Sequence, residues 1–199
     1  MPLTNHIARC VVATGQGPGY YRREGQPHVR VWNSVSLQTL VILGMSQVTC
    51  PLIFHLTILG IGEFKRAISC LSFSRTDGGI FLVTVDDSPE HLISVWDWAR
   101  SSRQIESKCT SETVVAAEFH PMEDGVIVTC GKGHVNFWQI DPSYSSISRK
   151  TGVLDPRDKP KYFTSLAFSS SGDVMTGDSN GNVFIWGRGY NAVTKVAQK

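Results

Sequence analysis

Residues 173–188 read DVMTGDSNGNVFIWGR. A short apolar run on the left and a β-branched, aromatic run ending in Trp186 on the right flank Asp178-Ser179-Asn180-Gly181. Asn and Gly tolerate positive φ, so the middle reads as a tight turn and the whole stretch as a β-hairpin. The same design recurs upstream. Tryptophan-bearing strands appear as HVRVWN at 28–33, LISVWDW at 92–98 and HVNFWQI at 134–140. Each is preceded by a shorter strand that ends in small or acidic residues: VVATGQ, FLVTVDD and VIVTCGKG.

Three of these four units carry a further strand upstream, AISCLSFS, VVAAEFHP and FTSLAFSSSGD. A weaker fourth strand follows each tryptophan, and no long helical pattern interrupts the series. A unit of three clear strands and a weak fourth, repeated in tandem, predicts an all-β chain of WD40-like β-propeller blades. The units fall at 8–43, where the innermost strand is missing, then at 67–107, 114–154 and 162–198. About three and a half blades is fewer than most closed propellers contain. The chain therefore reads as an incomplete propeller, a fragment or truncated form expected to be poorly soluble or partly unfolded alone.

Tryptophans 32, 96, 138 and 186 are spaced by 64, 42 and 48 residues. Blades of this kind run to about 40–45 residues, so the first interval is too long. The excess lies in LVILGMSQVTCPLIFHLTILGIGEF, residues 40–64, where LVILG is answered by LTILG. Removing residues 45–60 brings the interval from 64 to 48, so these 16 residues read as an insertion between blades. In a second arrangement LTILG would replace LVILG as the outer strand. The pyrimidine-rich codons that can encode CPLIFHLTI suggest translated intron sequence as the insert's origin.

The chain has 199 residues, 41% hydrophobic and 18% charged, with a net charge of +2. That composition suits a globular protein, and the charge is too small to indicate a nucleic-acid partner. Five scattered cysteines without a C-x-x-C pair argue against a disulfide framework and a zinc ribbon, leaving a cytoplasmic compartment as the default. Residues 40–61 lack charge, but Ser46, Gln47, Thr49, Pro51, His55 and Thr57 weaken them as a membrane span.

TLVILG…IGEFKRAIS, DDSPEHLISVWDW, VTCGKGHVNFW and KPKYFTSLAFSSSGDVMTGDSNGNVFIWG resemble successive blades of the first propeller of the echinoderm microtubule-associated protein-like (EML) family. The resemblance implies tubulin or microtubule binding, a cytoskeletal location and no enzymatic activity. Neither the coiled coil that trimerises several members nor the family's hydrophobic motif is found before the first blade. The hydrogen-bonding set of ordinary WD40 blades is degenerate, with Asp87 and Asp178 as its turn aspartates in two blades.

No catalytic, cofactor-binding or metal-ligating residue is assigned. Gly15, Gly17 and Gly19 form a GxGxG, but YYRREGQP follows where a phosphate cradle needs a helix N-terminus. The six histidines show no metal-ligand spacing, and His28, His91 and His134 recur near the starts of tryptophan strands, which points to a structural role. Asp86, Asp87 and Glu90 sit in a turn and are read as turn chemistry rather than an acid–base pair. Lys132, Arg157, Lys159 and Lys161 lie in or near loops where they could meet the acidic surface of tubulin. A generic protein-interaction scaffold is the alternative function, and a membrane-associated protein the weaker one.

Overall fold

The structure, a computed structural model, describes residues 6–8, 11–16, 27–44, 63–155, 157, 159–188 and 191–197. Its strands form four antiparallel sheets, each a meander in chain order. The first holds β1 (His6–Ala8), β2 (Val11–Gln16), β3 (His28–Asn33) and β4 (Thr39–Leu43). The second holds β5 (Ile68–Phe73), β6 (Phe81–Asp86), β7 (Leu92–Asp97) and β8 (Ser102–Lys108). The third holds β9 (Val114–Phe119), β10 (Val126–Gly131), β11 (His134–Ile140) and β12 (Ile147–Thr151). The fourth holds β13 (Phe163–Phe168), β14 (Val174–Asp178), β15 (Val183–Trp186) and β16 (Val193–Ala197).

The first unit departs from the sequence reading, which left it without an innermost strand. His6, Ile7 and Ala8 pair with Ala13, Val12 and Val11, so the sheet has four strands rather than half a blade's worth. Three residues joined by backbone pairing are too few to display the alternation that marks a strand in sequence.

The hydrophobic core is divided among the seams between sheets. One cluster joins Val29, Val31 and Leu43 of the first sheet to Leu71, Phe73 and Trp96 of the second. A second joins Val83 and Val95 to Ile127 and Trp138, and a third joins Val128 and Phe137 to Phe163 and Trp186. The strands next to these seams are covered on both faces. All of β10 is buried, as is nearly all of β7, which explains their unbroken apolar runs. The outer strands β12 and β16 are largely exposed, and their sequences ISRKT and VTKVA carry correspondingly weak signals.

The four repeat tryptophans are held in the same way. The indole Nε1 of Trp32, Trp96, Trp138 and Trp186 donates to the hydroxyl of Thr14, Thr84, Thr129 and Thr176, at 2.9, 3.1, 3.0 and 3.0 Å. In every sheet the threonine stands two residues from the tryptophan's direct cross-strand partner, as in the pairs Trp138↔Ile127 and Asn136↔Thr129. The period-2 pleat therefore puts both side chains on one face. Burying an indole requires a partner for its N–H, and threonine supplies one without leaving the strand. Arg103 and Arg149 cover the rings of Trp96 and Trp138 from the neighbouring outer strands, each 5.6 Å from the centroid.

Polar contacts also cross the seams. Arg75 pairs with Glu118 at 3.0 Å between the second and third sheets. His120 bridges the third and fourth: the amides of Met122 and Glu123 donate to its Nδ1, so Nε2 carries the hydrogen and donates to the Gly172 carbonyl at 2.7 Å. Gly15 permits close approach of the first two sheets, since a methyl group there would lie 2.7 Å from Ile68 Cβ.

Residues 45–60, read as an insertion, lie outside the described residues. The outer strand of the first sheet is Thr39–Leu43, so LVILG rather than LTILG supplies it. Gly44 adopts φ +83°, and the Phe64 ring packs where a side chain at Gly44 would project.

Candidate functional site

At one end of the strands lie the turns that join β6 to β7, β10 to β11 and β14 to β15. Asp178 organises the last of these. Its Oδ1 accepts from the amides of Asn180 and Asn182, both at 2.8 Å, and its Oδ2 from the Asn182 side chain at 3.0 Å. The matching residue in the second sheet is Asp86, not Asp87 as the sequence suggested. Asp86 Oδ1 accepts from Ser88 Oγ at 2.6 Å and from the Leu92 amide at 2.8 Å. Strand register decides between the adjacent aspartates, because Asp86 pairs with Ile68 as Asp178 pairs with Phe163. Asp86 is buried in its turn, Asp87 lies 3.7 Å from His91 Nε2, and Glu90 pairs with Lys108 at 2.6 Å. These acids act within turns and ion pairs.

His28, His91 and His134 are all buried at or beside the starts of tryptophan strands. His134 Nδ1 lies 3.0 Å from the Lys132 carbonyl and therefore donates to it, leaving Nε2 without a partner among the described residues. Burial pushes the His134 imidazole below its ordinary pKa, against the opposing influence of the Lys132 carbonyl. His91 Nδ1 and Asp86 Oδ2 are likewise buried and unpartnered among the described residues.

Burial raises the thiols of Cys70, Cys109 and Cys130 to about 12, 11 and 12. A nucleophile needs the thiolate, so these cysteines are packing residues. No group of three His, Cys, Asp or Glu among the described residues could hold a metal ion. Of the GxGxG, Gly15 lies within β2 opposite Val29, while Gly17 and Gly19 fall outside the described residues.

The loop lysines converge at this same end, over the seam between the third and fourth sheets. Lys132 forms an antiparallel bridge with Tyr162, and Lys161 Nζ lies 5.9 Å from the Tyr162 ring centroid. A methyl group on Gly133 would sit 4.0 Å from Lys159 Cε. Lys132 does not present a free charge: its Nζ lies 2.7 Å from Glu112 Oε2, which raises the lysine's pKa and lowers the glutamate's. Lys159, Lys161 and Arg157 are exposed and make no ion pair with another described residue. The end of this seam is therefore a basic surface built from one turn and the segment leading into β13.

Stacked four-stranded meanders with seam cores and tryptophan–threonine pairs define the class: blades of a WD40-type β-propeller. The backbone is similar to U3-55K at TM-score 0.67 and 18% identity, covering 98% of this chain and 48% of that one. It is also similar to the Cps50 (Swd1) β-propeller domain of Myceliophteria thermophila at TM-score 0.69 and 16% identity, covering 98% and 55%. Residues 51–199 match the family described as the echinoderm microtubule-associated protein first beta-propeller. The chain belongs to the echinoderm microtubule-associated protein family.

It is 42% identical over 199 residues to mouse echinoderm microtubule-associated protein-like 2, covering 98% of this chain and 28% of the relative. The 77 kDa echinoderm microtubule-associated protein of Strongylocentrotus purpuratus is 42% identical over 191 residues, covering 96% and 25%. The chain thus spans about a quarter of the length of these relatives. No helix among the described residues is long and apolar enough to cross a membrane.

Proposed function

We propose that the chain is a non-enzymatic binding module that engages tubulin or microtubules and acts at the cytoskeleton in the cytoplasm. Membership of a family whose relatives are named microtubule-associated carries this reading. The exposed cations Arg157, Lys159 and Lys161 support it, because tubulin offers an acidic surface and opposite charges speed encounter. The domain reading is part of the proposal: blade units at 8–43, 67–107, 114–154 and 162–198, with residues 45–60 an insertion between the first two.

Co-sedimentation with stabilised microtubules tests the reading. The chain should pellet with microtubules in a salt-sensitive manner, and Lys159→Glu with Lys161→Glu should weaken pelleting several-fold. Absence of pelleting above background at physiological ionic strength would reject it.

A further inference from the structure

The strands' other ends carry a different surface. There the seam between the second and third sheets opens into a cleft of about 400 Å³, within the size range of small-ligand sites. One wall is a pair of rings contributed by the two sheets: Phe81 and Tyr144, with centroids 4.5 Å apart and planes inclined by 31°. Phe119 and Ile140, both buried, also line it and connect it to the seam core.

The charged lining is of one sign. Asp77, Asp124 and Asp141 line the cleft, and no described lysine or arginine does. Two of these carboxylates already serve their own loops. Asp77 Oδ1 accepts from the amides of Gly79 and Ile80 at 2.9 and 3.0 Å, and Asp141 Oδ2 accepts from the Ser143 amide at 3.1 Å. Asp124 is exposed; its backbone carbonyl accepts from the Gln139 side chain at 3.3 Å, but its carboxylate makes no hydrogen bond or ion pair among the described residues. The Tyr144 phenol is likewise without a hydrogen bond among them. Its pKa is raised first by burial and then by the charges of Asp77 and Asp124, so both carboxylates act on the ring that forms the wall.

The geometry points to a docking site for an arginine side chain carried by a partner protein, its guanidinium against the Phe81–Tyr144 wall and paired with Asp124. Arginine fits both halves of the surface. Its planar cation stacks on aromatic faces while its N–H fork engages a carboxylate. A lysine ammonium is a compact, strongly hydrated charge and uses the aromatic wall less well. Acidic segments are repelled by the three carboxylates, so this occupant differs in chemistry from the acidic surface proposed for the lysine-bearing end, and the site does not depend on that reading.

Fluorescence anisotropy of the full chain with labelled Gly-Gly-Arg-Gly-Gly, and with its lysine and glutamine counterparts, provides the test. The arginine peptide should bind saturably, the lysine peptide several-fold more weakly, and the glutamine peptide not at all. Asp124→Asn should weaken the arginine peptide about tenfold, and Tyr144→Leu should weaken it as well. Lys161→Glu, at the opposite strand ends, should leave binding unchanged. The Asp124 carboxylate has no partner among the described residues, and Asp124→Asn keeps the backbone carbonyl that meets Gln139, so a matching thermal midpoint for Asp124→Asn isolates the effect on binding. No saturable binding, equal binding of the arginine and glutamine peptides, or indifference to Asp124→Asn would overturn the proposal.

Discussion

The amide of Glu63 donates to the carbonyl of Gly44 across 2.8 Å, although eighteen residues stand between them in the chain. The two ends of the long connection between the first and second sheets therefore meet. Excision of residues 45–60 leaves Gly44-Ile61-Gly62-Glu63, in which the same bond becomes the i to i+3 bond of a β-turn. Glycine then occupies the third position, where a type II turn requires positive φ. The variant lacking 45–60 should unfold at the same or a higher midpoint, because the shorter loop lowers closure entropy by about 1–2 kcal/mol. A lower midpoint in a urea or thermal titration would show that the segment contributes contacts of its own.

Trp138 and Thr129 offer a direct measure of the repeated indole anchor. Thr129→Val keeps the shape but leaves a buried N–H without its partner at 3.0 Å, which costs about 1–3 kcal/mol. Thr176→Val beneath Trp186 should behave alike, since that bond is also 3.0 Å and buried. Equilibrium denaturation reads the difference, and unchanged midpoints in both variants would remove the anchor from the list of stabilising contacts.

Gly15 is constrained by its neighbour rather than by its own backbone. Gly15→Val would drive a side chain into Ile68, 2.7 Å from where the first added carbon falls, and overpacking of this kind costs about 1–3 kcal/mol. Ile68→Ala should recover part of the loss in the double variant, because it vacates the contested space. Simple additivity in the double-mutant cycle would place the strain elsewhere.

His134 links the seam to pH. Burial lowers its folded-state pKa below the ordinary 6.5, so on acidification the unfolded chain takes up the proton first. The stabilising contribution of neutral His134 is present above about 6.5 and is lost as pH falls from there through the folded value. His91 and Arg149 oppose protonation further, while Glu112 favours it. Between pH 7.5 and 5.5 the chain should lose more stability than its His134→Gln variant, and parallel losses would contradict the assignment.

The features legible in sequence are those that repeat under one physical demand. Strands covered on both faces must be apolar throughout, so HVNFWQI and VIVTCG stand out, whereas ISRKT does not. The threonine partner was also on display in VVATGQ, FLVTVDD, VIVTCGKG and DVMTGDSNG, since one threonine recurs in each. Its meaning appears only once register places it beside the tryptophan. Asp86 and Asp87 differ by one position, and one position reverses the face, so pairing alone separates them. The aromatic cleft could not be read at all. Asp77, Phe81, Asp124 and Tyr144 come from separate loops and strand ends of two sheets, with no spacing rule connecting them.

Placing every core in a seam makes each sheet a shared component: its buried faces belong to its neighbours as much as to itself. Stability in such a stack is a nearest-neighbour property. Anything that spans two sheets therefore behaves as a staple on the joint beneath it. The cleft walled by Phe81 and Tyr144 lies over one of these joints. A partner seated there would tighten the stack, so occupancy can be read as slower hydrogen exchange in the amides of β6 and β11.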